Sequence, residues 1–208
     1  MKEAQGDQAY GRTNWRRFAI WTAVPGAAVA ALVVGMANGA FAASFSVSGQ
    51  SFKISADELD GEGFSQYGGT VKKVDGTEIP VAISGIEDGK LTNLCQSVKI
   101  PGAPVSLTIR AGREAGKPAK ATNLLIGVSE LSGDATFTNI NIGQDASTLK
   151  EGGPDAHGQA GMFGQEAEHV TIAGLRQTAV STTAGSFTLN GLNLKVNIAP
   201  DGKPAECF

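Results

Sequence analysis

Two histidines, His157 and His169, and two cysteines, Cys95 and Cys207, are all the sequence offers of those side chains. Imidazole exchanges protons near neutral pH, so base chemistry of the usual Ser-His kind has to pass through His157 or His169. His157 lies within and His169 directly follows residues 144–168, a long connection that carries Gly152-Gly153-Pro154, Gly158, Gly161 and Gly164. Connections of that length are commonly functional. Asp155, His157, Glu166, Glu168 and His169 are the side-chain types that bind divalent cations, but their spacing matches no recognised ligand pattern. A solvated loop with surface histidines is the plainer reading. Met162-Phe163 stands between two glycines in the same loop. This apolar pair either packs onto the domain or dips into a lipid or partner surface.

Other catalytic signatures are missing. There is no G-x-S-x-G elbow to present a serine nucleophile. The nearest run, Gly127-Val128-Ser129-Glu130-Leu131, lacks the last glycine and reads as a strand with its corner. There is no phosphate-cradling glycine loop and no H-E-x-x-H. Asp57, Glu58, Asp60 and Glu62 form an acidic cluster, yet Ala56 stands where an EF-hand needs its first acid. Arg110, Arg113, Lys117 and Lys120 punctuate a glycine- and proline-bearing stretch that reads as a polar turn, with an anionic surface as the alternative partner. No cofactor and no bound metal are expected.

The elements that position these residues begin with a topological signal. Residues 1–17 carry Lys2, Arg12, Arg16 and Arg17 against Glu3 and Asp7, and the following run, 18–43, has no charge. About 20 apolar residues suffice to cross ~30 Å of hydrocarbon as a helix. Arg16 and Arg17 abut the run, and Trp15 and Trp21 sit at the same end, where aromatic rings favour the membrane interface. Three segments follow: a cytoplasmic basic tail 1–17, a transmembrane helix or signal segment 18–43, and an extracytoplasmic domain 44–208. By the positive-inside rule the protein is single-pass in the cell membrane with residues 44–208 outside, in contact with lipid through its N-terminal helix. Ala40-Phe41-Ala42 keeps an alternative open, secretion after cleavage near Ala42. On the exported side an oxidising environment favours a Cys95–Cys207 disulfide. It would bring the stretch around Ala199-Pro200-Asp201-Gly202-Lys203-Pro204 back along the domain as an extended strap.

After Ala43 the texture is that of half-buried strands. Phe45 and Val47, Phe52 and Ile54, Val98 and Ile100, Val105, Leu107 and Ile109, and Leu192, Leu194, Val196 and Ile198 alternate with polar residues between turn-forming clusters. The fold class is therefore all-β. An imperfect repeat recurs in Ala82-Ile83-Ser84-Gly85-Ile86, Gly127-Val128-Ser129-Glu130-Leu131 and Thr171-Ile172-Ala173-Gly174-Leu175, with Ser55-Ala56-Asp57-Glu58-Leu59 as a worn copy. Apolar residues three apart face opposite sides of a straight strand, so each copy needs a bend. Stacked bends predict a β-solenoid or layered β-repeat; a β-sandwich is the alternative. The net charge of −3 gives no basic face for nucleic acid, and an aromatic content of 6% leaves little for a stacking surface.

Arg16-Arg17-Phe18, the Ala/Val-rich span, Ala43-Ser44-Phe45-Ser46-Val47-Ser48-Gly49 and Leu91-Thr92-Asn93-Leu94-Cys95-Gln96-Ser97-Val98 together resemble an actinobacterial family of exported proteins of unknown function, often labelled "cholesterol esterase". The label implies a serine hydrolase acting on lipid esters, chemistry for which this sequence lacks the usual elbow. The resemblance also implies a small multi-span membrane protein as neighbour. Two function classes stand at this stage. One is a non-catalytic membrane-anchored envelope protein whose β domain serves assembly or binding, with an integral membrane protein or further copies of itself as partner. The other is a secreted or anchored sterol-ester hydrolase.

Overall fold

The computed structural model describes residues 50–199 and 201–208. Trp15, Arg16, Arg17, Trp21, the apolar run 18–43 with its Ala40-Phe41-Ala42 pattern, Phe45, Val47 and Pro200 lie outside the described residues. The chain divides into two units, Met1–Ser46 and Val47–Phe208, and the second is the one described. No helix of the described residues is long and apolar enough to cross a membrane.

The alternating runs form nine strands: β1 Phe52–Lys72, β2 Glu78–Thr92, β3 Leu94–Lys99, β4 Val105–Ala111, β5 Ala119–Thr138, β6 Asn141–Asp145, β7 Phe163–Thr183, β8 Ser186–Thr188 and β9 Asn193–Ile198. One turn of 3-10 helix, Ala146–Thr148, interrupts them. All belong to a single sheet, in the order β6-β7-β5-β2-β1-β3-β4-β9, with β8 added to β5. β1 pairs with β2 and also with β7, β2 pairs with β5, and β5 pairs with β7. The four longest strands thus form a closed ring of pairings, which removes their edges.

The stacked coils of a solenoid do not form. Coils that follow chain order pair in parallel, whereas every pairing here is antiparallel. Nor are there the two separate sheets of a sandwich. The bends read from the repeat do exist. Ile172 and Leu175 are both buried, and between them Gly174 takes φ +61°, the left-handed turn that flips the strand's inward side by one residue. β5 shifts register at its copy of the repeat, between Gly127 and Val128 and again between Val128 and Glu130.

Leu59, Phe64, Ile86, Leu91, Leu124, Ile126, Val170 and Leu175 fill the ring's interior, and Ala111, Ala119, Ala167 and Ala179 pack it where the strands run close. Phe64 and Phe137 meet with ring centroids 5.2 Å apart. A side chain at Gly61 would meet Ile86 Cγ2 at 3.0 Å and Val170 Cγ1 at 3.2 Å, so the interior is filled there by neighbours rather than left hollow.

Beyond Ile54 the sheet continues as a three-stranded wing, β3-β4-β9. Register fixes its two faces, because paired residues point the same way. One face is built of rows: Gln96-Ile109-Leu194, Val98-Leu107-Val196, and Val105-Ile198 with Ile100 bonded to Val105 at 3.0 Å. The other carries Cys95, Ser97, Ser106, Thr108, Lys195 and Asn197.

Candidate functional site

Cys95 and Cys207 are joined, with Cα atoms 5.8 Å apart. The bond lays residues 201–208 along the hydroxyl-rich face of the wing. There the Cys207 amide donates to Ser97 Oγ at 3.0 Å and Ser106 Oγ donates to the Ala205 carbonyl. Asn197 Nδ2 donates to Thr108 Oγ1 at 3.1 Å. Lys53 pairs with Glu206 at 3.4 Å, and the Lys53 ammonium and Arg176 guanidinium lie 5.1 and 5.8 Å from the centre of the Phe208 ring. Ser97 and Ser106 are buried beneath this strap, and Thr108 is buried beside Asn197.

The wing is consequently inside out. Its hydroxyl face is covered, and its aliphatic face is open: Leu194, Val196 and Ile198 are 56%, 55% and 72% exposed, with Val98, Leu107 and Ile109 partly so. The alternation along these strands predicts strands half-buried by their aliphatic side. The strands are as expected, but their covered side is the polar one, because the disulfide commits the strap there.

The expected connection over 144–168 is shorter, because β6 runs to Asp145 and β7 begins at Phe163, which places Glu166, Glu168 and His169 on a strand; the segment does not gather its titratable residues. His157 lines an open cleft of about 740 Å³ with Tyr67, Thr70, Pro80, Ile83, Gln159 and Met162. The Asp155 backbone carbonyl accepts from the Tyr67 hydroxyl at 3.5 Å. Burial, with the Asp155 charge second, raises the Tyr67 phenol above its ordinary value. Phe163 opens β7 and is 59% exposed, while Met162, 46% exposed, lies over Gly68 at the edge of the cleft.

Glu166 faces elsewhere and holds the loop, accepting from the Lys150 and Glu151 amides at 2.6 and 3.1 Å. Burial acts to raise its carboxyl; the Lys150 amide, the Gln144 side chain and the Glu151 amide outweigh it and leave it below the ordinary range. His169 sits on β7 opposite Glu62, with Nε2 3.2 Å from Asp60 Oδ2 and 3.9 Å from Glu62 Oε1. Burial tends to raise the Asp60 carboxyl, and hydrogen bonds from Lys90 and His169 reverse it to a net lowering.

Two acids of the cluster have neutral and cationic partners. Both Asp57 oxygens accept from Asn93 Nδ2 at 3.1 Å, and Asp60 pairs with Lys90 at 3.1 Å. Among the described residues no three His, Cys, Asp or Glu side chains are grouped to hold a metal ion. In the basic stretch, Lys117 pairs with Glu114 at 2.8 Å and Arg110 lies on β4 beside the disulfide. Ser129 Oγ donates to the Thr178 carbonyl at 3.1 Å, while His169 is opposite Thr138 at the far end of β5.

Two features escaped sequence reasoning. Tyr67, Thr70 and Gln159 reach the His157 cleft only because the loop folds back over β1 and β2. Gly85 permits that seating: a side chain there would meet Ala156 Cβ at 2.6 Å and Ser65 Oγ at 2.7 Å. The open face of the wing was signalled only indirectly, by Cys207 standing close after β9.

The fold and these surfaces define a closed antiparallel β domain with a disulfide-fixed, inside-out wing. Residues 48–208 match a family of unknown function (DUF6230), and the chain belongs to that family. Comparison with curated proteins and with solved structures gives no match.

Proposed function

We propose that this chain is a non-catalytic, membrane-anchored protein of the cell envelope whose β domain serves assembly or binding. The observation that carries the reading is the wing. A domain spending a disulfide and eight residues on covering hydroxyls, while leaving aliphatic rows open, presents those rows to something. The Cys95–Cys207 bond supports an oxidising location, and the uncharged run 18–43 behind Arg16-Arg17 supports an anchor. Ser129 supports a non-catalytic role, since its hydroxyl is engaged by a strand carbonyl.

Protease treatment of intact protoplasts tests the topology: residues 44–208 are digested from outside, and a protected domain overturns it. Intact-mass measurement reads the attachment, a start at Met1 or Lys2 for an anchor and one near Ala43 for a cleaved signal. Exposure of the folded protein to a fluorophosphonate tests the rest. No serine is trapped and no sterol ester turns over; stoichiometric trapping of one serine establishes the hydrolase instead.

A further inference from the structure

We propose that the polar groove beside the Cys95–Cys207 bond binds an oxyanion, phosphate or carboxylate, carried on a hydroxylated small molecule. The groove lies on the face opposite the wing's aliphatic rows, so the proposal stands whatever those rows meet.

Register assembles the site. Ser132 is paired with Arg176, Arg176 with Ser55, Ser55 with Cys95, and Cys95 with Arg110. Paired residues share a face, so one row crosses β5, β7, β1, β3 and β4 with a guanidinium towards each end. Three strand intervals separate the backbones of Arg176 and Arg110, roughly 14 Å. Both arginines line a single open groove of about 440 Å³, together with Ser55, Ser132, Asp57 and Cys207. Gly174 keeps part of its wall clear, since a Cβ there would meet nothing within 4 Å.

The charges select the ligand. Among the described residues neither Arg110 nor Arg176 has a carboxylate within ion-pair distance, whereas the neighbouring Lys53 is taken by Glu206. Each free guanidinium offers a planar fork of N–H donors that fits two oxygens of a phosphate or carboxylate at once. Arg110 is half-buried, which strengthens what it pairs with. Arg176 is exposed but steadied, its guanidinium 5.8 Å from the centre of the Phe208 ring, so the strap positions one arm of the site. Ser55 stands between the two arginines in the row and adds a hydroxyl donor.

Asp57 sets the rest of the ligand. Both its oxygens accept from Asn93, and a carboxylate has lone pairs left for a further donor. It repels a bare anion and accepts from a hydroxyl beside one. A polyol phosphate or a hydroxy acid satisfies both demands, and an unsubstituted anion satisfies only the arginines.

The test uses the full chain in neutral detergent micelles, with glycerol 3-phosphate, methyl phosphate and lactate as probes and ligand NMR line broadening as the readout. Saturable binding is expected, tighter for glycerol 3-phosphate than for methyl phosphate, and whichever of glycerol 3-phosphate and lactate binds more tightly fixes the oxyanion. Arg110→Gln and Arg176→Gln should each weaken binding roughly tenfold, the size of one charge-assisted contact. Asp57→Asn should tighten methyl phosphate and so narrow the preference. Lys120→Gln, an exposed cation outside the groove, should change nothing. Thermal melts verify that each variant folds. Binding of neither hydroxylated probe, affinities indifferent to both arginine variants, or a loss with Lys120→Gln equal to theirs overturns the proposal.

Discussion

Severing the bond between Cys95 and Cys207 tests how the wing is held. The crosslink spans 112 residues, and the chain-entropy relation for so long a loop gives about 4.7 kcal/mol of restraint on the unfolded chain. The strap's own contacts add little: the Lys53–Glu206 pair is partly exposed and worth under ~1 kcal/mol, and the hydroxyls of Ser97 and Ser106 exchange their partners for water once the strap lifts. Native-state strain subtracts from the entropy figure, so a loss of about 3–5 kcal/mol is expected. For a domain of this size one kcal/mol moves Tm by roughly 2–4 °C. Calorimetry of the full chain should then show Tm falling by roughly 6–20 °C on reduction. Cys207→Ser and Cys95→Ser should each reproduce the fall, and the double variant should add nothing. A shift under roughly 3 °C, or two thiols titrating after denaturation without reductant, refutes the reasoning.

Three further outcomes follow from single positions. Gly112 has φ +67°, and a Cβ there would lie 2.6 Å from both the Leu91 carbonyl oxygen and the Ala119 amide nitrogen. Gly112→Ala should cost about 2 kcal/mol or more in denaturant titration, and an unchanged midpoint contradicts the close approach. Thr182 Oγ1 is buried without a hydrogen-bond partner among the described residues, so Thr182→Val should stabilise the domain by about 1 kcal/mol in the same assay; a loss instead would reveal a partner. The Glu151 carboxyl is raised by burial first and then by Glu166, Glu87 and Glu168. A raised acid begins to destabilise the fold as pH rises through its ordinary unfolded range near ~4.3, carries its full penalty above its folded pKa, and contributes nothing well below that range. Glu151→Gln should therefore raise Tm slightly at pH 7 and move it less at pH 4; an equal effect at both would exclude ionisation as the cause.

The strand character of the domain was legible because alternation survives any topology: Val105, Leu107 and Ile109 read as a strand wherever the partner lies. The bends were legible too, since Ile172 and Leu175 cannot both face inward on a straight strand. What the repeat did not disclose is direction. Copies about 45 residues apart look the same in a solenoid, where they stack in parallel, and in a meander, where they lie on antiparallel neighbours; only pairings such as Phe52 with Ala179 decide, and those are non-local. The cysteines were readable as a pair because two thiols allow one intramolecular connection. Which face of the wing is covered was not readable, because Ser97 and Ser106 look solvent-facing until the strap arrives. In the loop, Asp155, Glu166 and His169 looked convergent because closeness in sequence says nothing about which side of β7 a residue takes.

The closed ring has a consequence for the order of synthesis. β1 is the first described strand to be made, and one of its two long neighbours, β7, is the last long one. Until β7 is present, β1 over Phe52–Tyr67 and β5 over Leu125–Thr138 each keep a bare edge, the kind that templates pairing with other chains. Cys95 waits as well: at roughly 5–20 residues per second the 112 residues to Cys207 take about 6–20 s to appear. A growing chain thus spends its riskiest interval with open edges and an unpaired thiol together, and both hazards end only as its last segments arrive.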